Sequence, residues 1–323
     1  MINNLITGGS GFVGSHLAEA LLAAGESVTV IDDLSTGAIR NLDPVRANPH
    51  LKVHIGNIMD VPLMTELVDR ADRIWHLAAA VGVRLIVEKP VHTIETNIRG
   101  TEVVLSLAAR KARPVLLTST SEVYGKSTRV PFSEGDDLVF GSTTRPRWSY
   151  ACSKAIDEFL ALAYHAERGL PAVVARLFNT VGPRQTGQYG MVIPRFVRQA
   201  LAGEPLTVYG DGSQTRAFAD VSDVVRGLIG LMNAPAATGN VFNVGNNQEI
   251  SIRELAEKII ARCHSSSQVQ LVPFEAAYDE NFEDLARRVP DLSKIGAVLG
   301  YAPRMGIDEI ISGVVEWTRS LAD

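Results

Sequence analysis

Tyr150 and Lys154 stand four residues apart in a segment of helical periodicity, so one helix face carries both. An ammonium beside a phenol favours the phenolate, and a tyrosine so placed can take a proton from a hydroxyl. Alone, such a pair is a common surface arrangement, and its surroundings give it weight. Thr118-Ser119-Thr120-Ser121-Glu122-Val123-Tyr124-Gly125 leaves the end of a strand-like run, where open α/β sheets build their sites, and offers hydroxyls and a carboxylate. Near the N-terminus, Thr7-Gly8-Gly9-Ser10-Gly11-Phe12-Val13-Gly14 joins a strand-like run to a helical one. Glycines there permit a tight turn and let the backbone approach a pyrophosphate at a helix N-terminus. Asp32, 18 residues past Gly14, closes the next strand-like run. A carboxylate at that point accepts from both ribose hydroxyls and repels a 2′-phosphate, which predicts NAD rather than NADP.

The elements that would position these groups alternate from the first residues. Strands are predicted near Asn3–Thr7, Val28–Ile31, Leu51–Ile55, Arg73–Leu77, Pro114–Ser119 and Ala172–Phe178, with helices near Phe12–Ala24, Val61–Arg70, Val91–Arg110 and Ser149–Arg168. This is the pattern of an α/β protein with a doubly wound parallel Rossmann sheet. Beyond Asn179 the periods shorten and Gly, Pro and Arg gather in loops, as expected of a smaller C-terminal substrate-binding lobe. The expected division is a dinucleotide domain over 1–178 and a lobe over 179–323, interleaved because strand and helix patterns continue at Val221–Met232, Val241–Val244, Ile252–Arg262 and Ile307–Leu321.

Composition excludes several function classes. The chain has 323 residues, 46% hydrophobic and 21% charged, so it is neither disordered nor fibrous. A net charge of −5 gives no basic excess for nucleic acid. Apolar runs such as Ala78 to Val83 fall well short of a membrane span of roughly 18 residues, and the N-terminus shows no signal-peptide pattern. A cytoplasmic protein is expected. Cys152 and Cys263 are far apart and the seven histidines make no ligand pattern, so no metal site is predicted.

Taken together, these motifs resemble the extended short-chain dehydrogenase/reductases that epimerise, dehydrate or decarboxylate nucleotide sugars, over essentially the whole chain. Further matches are His76-Leu77-Ala78-Ala79, Asn97 with Gly100-Thr101, Arg176-Leu177-Phe178-Asn179 with Gly182-Pro183-Arg184, Gly203 to Gly210, and Gln214-Thr215-Arg216. The resemblance implies cofactor contacts from Gly8, Gly11, Phe12, Val13, Gly14, Asp32, Asn57, Ile58, Leu77, Ala78, Ala79, Asn97, Tyr150 and Lys154. Asn179 and Arg216 would hold a diphosphate, with Val192, Val208 and Tyr209 lining the nucleotide side. Two positions depart from the usual pattern: Asp33 stands where Asn is common, and Asn57 where Asp commonly meets the adenine.

Within the family the nearest resemblance is to UDP-glucuronate decarboxylases, including the aminoarabinose-pathway enzyme. It rests on Thr120-Ser121-Glu122, on Pro146-Arg147-Trp148-Ser149-Tyr150, and on Arg288 ahead of Val289-Pro290-Asp291. Thr120, Ser121, Glu122 and Arg288 would then join Tyr150 and Lys154 as catalytic residues, with Arg288 also touching substrate. Arg84, in a Gly-Val-Arg that resembles uronate 4-epimerases, suits a sugar carboxylate and keeps a UDP-sugar 4-epimerase as the alternative. A 4,6-dehydratase or a noncatalytic NAD sensor ranks below both. The family also implies a homodimer through the two long helices.

Overall fold

The structure, a computed structural model, describes residues 1–80, 90–146, 148–187, 191–273 and 287–321. Its first half runs β1 (Asn3–Thr7), α1 (Phe12–Ala23), β2 (Ser27–Asp32), β3 (Leu51–Ile55), α2 (Val61–Arg70) and β4 (Arg73–His76). A long helix, Pro90–Arg110, leads to β5 (Val115–Thr120), and a second, Trp148–Arg168, to β6 (Ala172–Leu177). Each lies within a residue or two of its sequence expectation, because contiguous apolar periodicity specifies local elements well.

These six strands and a seventh, Asn240–Val244, form one parallel sheet in the order Asn240–Val244, β6, β5, β4, β1, β2, β3. The order reverses between β1 and β4, so a crevice opens at the carboxyl ends of those strands. The central strands are largely apolar on both faces, as a parallel sheet covered by helices requires, while the edge strand β3 is mostly exposed. Ile6, Trp75 and Leu116 enter one core with α1, while Leu5, Ile74, Val115 and Leu117 enter another with α2 and the long helices.

The interleaving takes a definite form. The seventh strand extends the sheet beyond β6, and helix Val221–Asn233 sends Val224, Val225 and Leu228 into the core that holds Leu17 and Leu21 of α1. The remainder of the second half has its own core, with Phe196, Leu206, Val208, Ile250, Leu255, Ile259, Ile310 and Val314. Above it lies a small sheet in which Thr215–Ala217 is central, between Glu249–Ser251 and Arg287–Arg288.

Candidate active site

The turn after β1 has the shape the sequence implies. Gly8 sits at φ +71, and a Cβ there would lie 2.8 Å from the Ala78 nitrogen, so glycine lets the turns after β1 and β4 close together. At Gly14 a Cβ would fall 2.2 Å from the Gly8 oxygen, which fixes α1 against the turn. Gly11 is the N-cap of α1 and no side chain caps the first turn. The leading N–H groups of Phe12 and Val13 are therefore left to an anion. Ser10 Oγ is buried without a partner among the described residues, beside the same turn.

Asp32 ends β2 and accepts from the Ser10 nitrogen at 2.9 Å and the Leu34 nitrogen at 2.8 Å. Burial pushes its carboxyl up, and these hydrogen bonds pull against that. The two departures from the family pattern touch each other: Asn57 Nδ2 donates to Asp33 Oδ2 at 3.4 Å. Carboxylate and amide have changed places across one contact, so the pair still offers both. An uncapped helix start, an orphaned hydroxyl and a ribose-facing carboxylate together fit NAD.

The turn after β4 is held from behind. Asn97 Oδ1 accepts from the Ala80 nitrogen at 2.8 Å, and its Nδ2 donates to Ser153 Oγ at 3.1 Å. Beneath it runs a buried polar chain. The Ala78 nitrogen donates to Thr7 Oγ1 at 3.2 Å, Thr7 Oγ1 lies 2.7 Å from His76 Nδ1, and His76 Nε2 lies 3.0 Å from Thr101 Oγ1. Burial drives the His76 pKa down to about 3, so the ring is neutral. One ring nitrogen therefore donates and the other accepts. The Thr101 hydroxyl at the end of the chain lies beside the Asp157 carboxylate and pulls its pKa down against burial, while Asp157 Oδ1 is buried with no hydrogen-bond partner among the described residues.

Helix Trp148–Arg168 carries Tyr150 and Lys154. It is tied to the sheet by Glu158, which accepts from Ser119 of β5 at 2.5 Å and from Arg176 of β6 at 2.7 Å. One turn before Lys154, Tyr150 lies beside the Thr120 hydroxyl, which pulls the phenol's pKa down against burial. The Glu122 nitrogen donates to Thr120 Oγ1 at 3.2 Å, so that hydroxyl is oriented by its own turn. Burial is the main cause that pushes the phenol above its ordinary range, with Glu122 and Asp157 adding to it.

The sequence leads one to expect the Lys154 ammonium to favour the phenolate, and the structure adds a carboxylate beside that ammonium. Lys154 is 2% exposed and its Nζ lies 2.9 Å from Asp157 Oδ2, and Asp157 is fully buried. The ammonium is thus matched by a carboxylate three residues on.

Arg288 and Arg216 come together through strand register. Arg288 pairs with Arg216 in parallel, so both side chains leave the same face of the small sheet, and both are buried. Arg288 Nη1 meets Glu122 Oε1 at 2.5 Å, which brings two catalytic candidates 166 positions apart into one ion pair. Its Nε is buried with no partner among the described residues. Arg216 Nη1 donates to the Thr215 oxygen at 2.7 Å. Asn179, at φ +26, donates to the Ala217 oxygen at 2.9 Å and so ties the end of β6 to the same strand.

Other predicted contacts shift in character. Val208 is fully buried in the lobe core, because strand Leu206–Tyr209 alternates and turns Val208 inward while Tyr209 faces out. Its side chain therefore cannot line a ligand site. Ile58 is likewise a core side chain, 6% exposed and packed where a Cβ on Gly100 would strike it. Asn97 spends its amide on Ala80 and Ser153, so it orders the turn rather than pointing into the crevice. Leu77, Ala78, Ala79 and Val192 are half-buried, and Ser121 is buried at the head of its turn. Arg84 and Arg147 lie outside the described residues.

The sequence reading missed two residues. Asp157 was legible as an i,i+3 partner of Lys154. Arg195, whose guanidinium lies 4.4 Å from the Tyr209 ring centroid, was not, since the two belong to different elements.

Comparison with known proteins agrees with this geometry. A family model described as GDP-mannose 4,6 dehydratase matches residues 5–314. The UDP-N-acetyl-alpha-D-glucosaminuronate decarboxylase of Bacillus cytotoxicus is 43% identical over 319 residues, 98% of either chain. UDP-glucuronic acid decarboxylase 1 of Danio rerio is 38% identical, covering 97% of this chain and 72% of its own. Among solved structures, the UDP-glucuronic acid 4-epimerase of Bacillus cereus, in complex with UDP-glucuronic acid and NAD, superposes with a TM-score of 0.88 at 27% identity, covering 99% of this chain and all of the other. With its glycine turn, its Tyr150/Lys154 helix and a family model spanning nearly its whole length, the chain belongs to the GDP-mannose 4,6-dehydratase family, the NAD-dependent nucleotide-sugar branch of the extended short-chain dehydrogenase/reductases.

Proposed function

We propose that the chain is an NAD-dependent decarboxylase of a UDP-linked uronate, acting through oxidation at C4. The observation that carries this reading is the Glu122–Arg288 ion pair, set beside Thr120 and Tyr150 and in register with Arg216. A simple 4-epimerase needs no such carboxylate-and-guanidinium device next to its tyrosine. Sequence similarity to uronate decarboxylases supports the same outcome.

NAD, when bound at the glycine turn, supplies the acceptor for the C4 hydride. Tyr150 takes the proton of the 4-hydroxyl, and Thr120 orients it. The sugar carboxylate is then β to a ketone, so loss of CO₂ leaves an enolate that the site stabilises and protonates. Thr120, Ser121 and Glu122 orient the carboxylate end, and Arg288, or a water it positions, delivers the proton to carbon. Arg216 and Asn179 hold the diphosphate, with Val192 and Tyr209 near the base. Residues 1–178 serve the cofactor and 179–323 the nucleotide sugar, with the seventh strand crossing between them. Arg84 remains a proposed carboxylate contact.

Exposed Val91, Ile94, Ile156 and Phe159 on the two packed long helices support a homodimer through that face. Among the described residues no helix is long and apolar enough to cross a membrane, and we read the protein as cytoplasmic.

The test is incubation with NAD and, separately, UDP-glucuronate and its 2-acetamido analogue, with CO₂ and product masses followed. Release of CO₂ with a product lighter by that group supports the reading and identifies the sugar. Interconversion of UDP-glucuronate and UDP-galacturonate without CO₂ would establish the 4-epimerase instead, the activity of the Bacillus cereus structural relative.

A further inference from the structure

Lys154 and Asp157 form a buried ion pair next to the reactive tyrosine, and the pair sits at the end of a polar chain that starts in the cofactor turn. The chain runs from the Ala78 nitrogen through Thr7, His76 and Thr101 to Asp157. The neutral His76 donates at one ring nitrogen and accepts at the other, so the chain is continuous from the cofactor turn to Thr101. Asp157 is held by Lys154 Nζ at 2.9 Å through Oδ2, lies beside Thr101, and keeps its Oδ1 buried without a hydrogen-bond partner among the described residues. No role in the proposed reaction requires a carboxylate there. A Tyr-Lys pair works as a base by virtue of the lysine's positive charge, and a fully buried carboxylate against that lysine opposes it.

We propose that Asp157 is a positioning residue that fixes the Lys154 ammonium and cancels its charge, so that the protein by itself keeps Tyr150 a neutral phenol and the base is readied when a cationic cofactor is seated. This rests on the reading of Tyr150 as the base. The charged groups around the phenol are Glu122 from the turn after β5, itself paired with Arg288, and Lys154 and Asp157 from the tyrosine's own helix. Glu158 lies behind Asp157 but is matched by Arg176, and His76 is uncharged. Of these, Lys154 is the cation one turn from Tyr150, and Asp157 is what holds it. The arrangement also favours a cationic over a neutral nicotinamide, because the carboxylate removes the repulsion Lys154 would otherwise exert.

The experiment follows tyrosinate absorbance against pH in NAD-loaded protein, taking the difference between each protein and its Tyr150→Phe counterpart so that Tyr150 alone is read. No sugar is present, so the result does not depend on which nucleotide-sugar reaction the chain performs. In Asp157→Asn the Tyr150 midpoint should fall by about one pH unit or more, and in Lys154→Met it should rise by a similar amount. The double variant Lys154→Met/Asp157→Asn leaves no unpaired buried charge, so it serves even if a single variant fails to fold. Its midpoint should return to within about half a unit of wild type. An unchanged midpoint in Asp157→Asn, or a double variant that titrates as Lys154→Met does, would overturn the proposal. Normal turnover by Tyr150→Phe would instead overturn the assignment of the base.

Discussion

Gly11 offers a clean separation between folding and cofactor binding. Its φ of −74° is open to any residue, and a Cβ there would meet only the Gly8 oxygen, at 3.0 Å. Gly11→Ala should therefore fold. Alanine at an N-cap costs up to about 1 kcal/mol relative to glycine, and the stiffer unfolded chain returns about 0.4–1 kcal/mol of that. The methyl group, however, projects at the uncapped start of α1, where a pyrophosphate would take the first N–H groups. Losing one charge-assisted hydrogen bond costs about 1.5–3 kcal/mol, so NAD affinity should fall about 10- to 150-fold. Gly14→Ala is the contrasting control. Its methyl would sit 2.2 Å from the Gly8 oxygen and 2.7 Å from the Gly9 Cα, both backbone atoms, so it should lower thermal stability outright. The assay is NAD titration by calorimetry beside thermal unfolding without cofactor. Unchanged NAD affinity in a stable Gly11→Ala protein would refute the placement of the pyrophosphate at this helix start.

Tyr150→Phe should keep the fold and NAD binding yet slow NADH formation by at least about 10²-fold, measured in a single turnover. Arg216→Ala should raise the Kd for UDP-sugar far more than it lowers the chemical step, since a diphosphate does not react; comparison of binding with single-turnover rates decides this. Glu122→Ser should retain hydride transfer while slowing CO₂ release, and simultaneous recording of cofactor absorbance and CO₂ shows whether the two separate. Acid should destabilise the protein through His76, whose folded pKa of about 3 lies below its ordinary 6.5. The unfolded chain alone takes up that proton, so stability is intact above pH 6.5 and falls on the way down to about pH 3. At pH 5 the loss amounts to about 2 kcal/mol, read as a lower urea midpoint, and His76→Asn should lack that component.

The polarity of the site also explains its place in the fold. Apart from Arg216 and Arg288, which come from the small sheet of the second half, the candidate groups named above leave the carboxyl end of a central strand or a helix packed on it, near the point where strand order reverses. Glu158 matters here without touching substrate, because it joins β5, β6 and the Tyr150 helix through Ser119 and Arg176. A site built across three elements needs such a fastening if the tyrosine is to keep its height above the crevice.

What the sequence determined by itself is local. The glycine turn, Asp32, the Tyr150/Lys154 spacing and the first six strands are all specified by residues within a turn or two of one another, where backbone sterics and apolar period act directly. Tertiary structure decided the rest. The pairing of Glu122 with Arg288 and the alignment of Arg288 with Arg216 depend on strand register, which no short window of sequence contains. The same holds for Asp33 against Asn57, two apparent departures that compensate once β2 and β3 lie side by side. Val208 turned inward because alternation along its strand had to bury one face or the other, and the lobe core chose. Asp157 stands between these cases: its spacing from Lys154 was visible, but that it would be fully buried, and so able to set the charge beside Tyr150, followed from the packing of its helix against β5, β6 and the Thr101 helix.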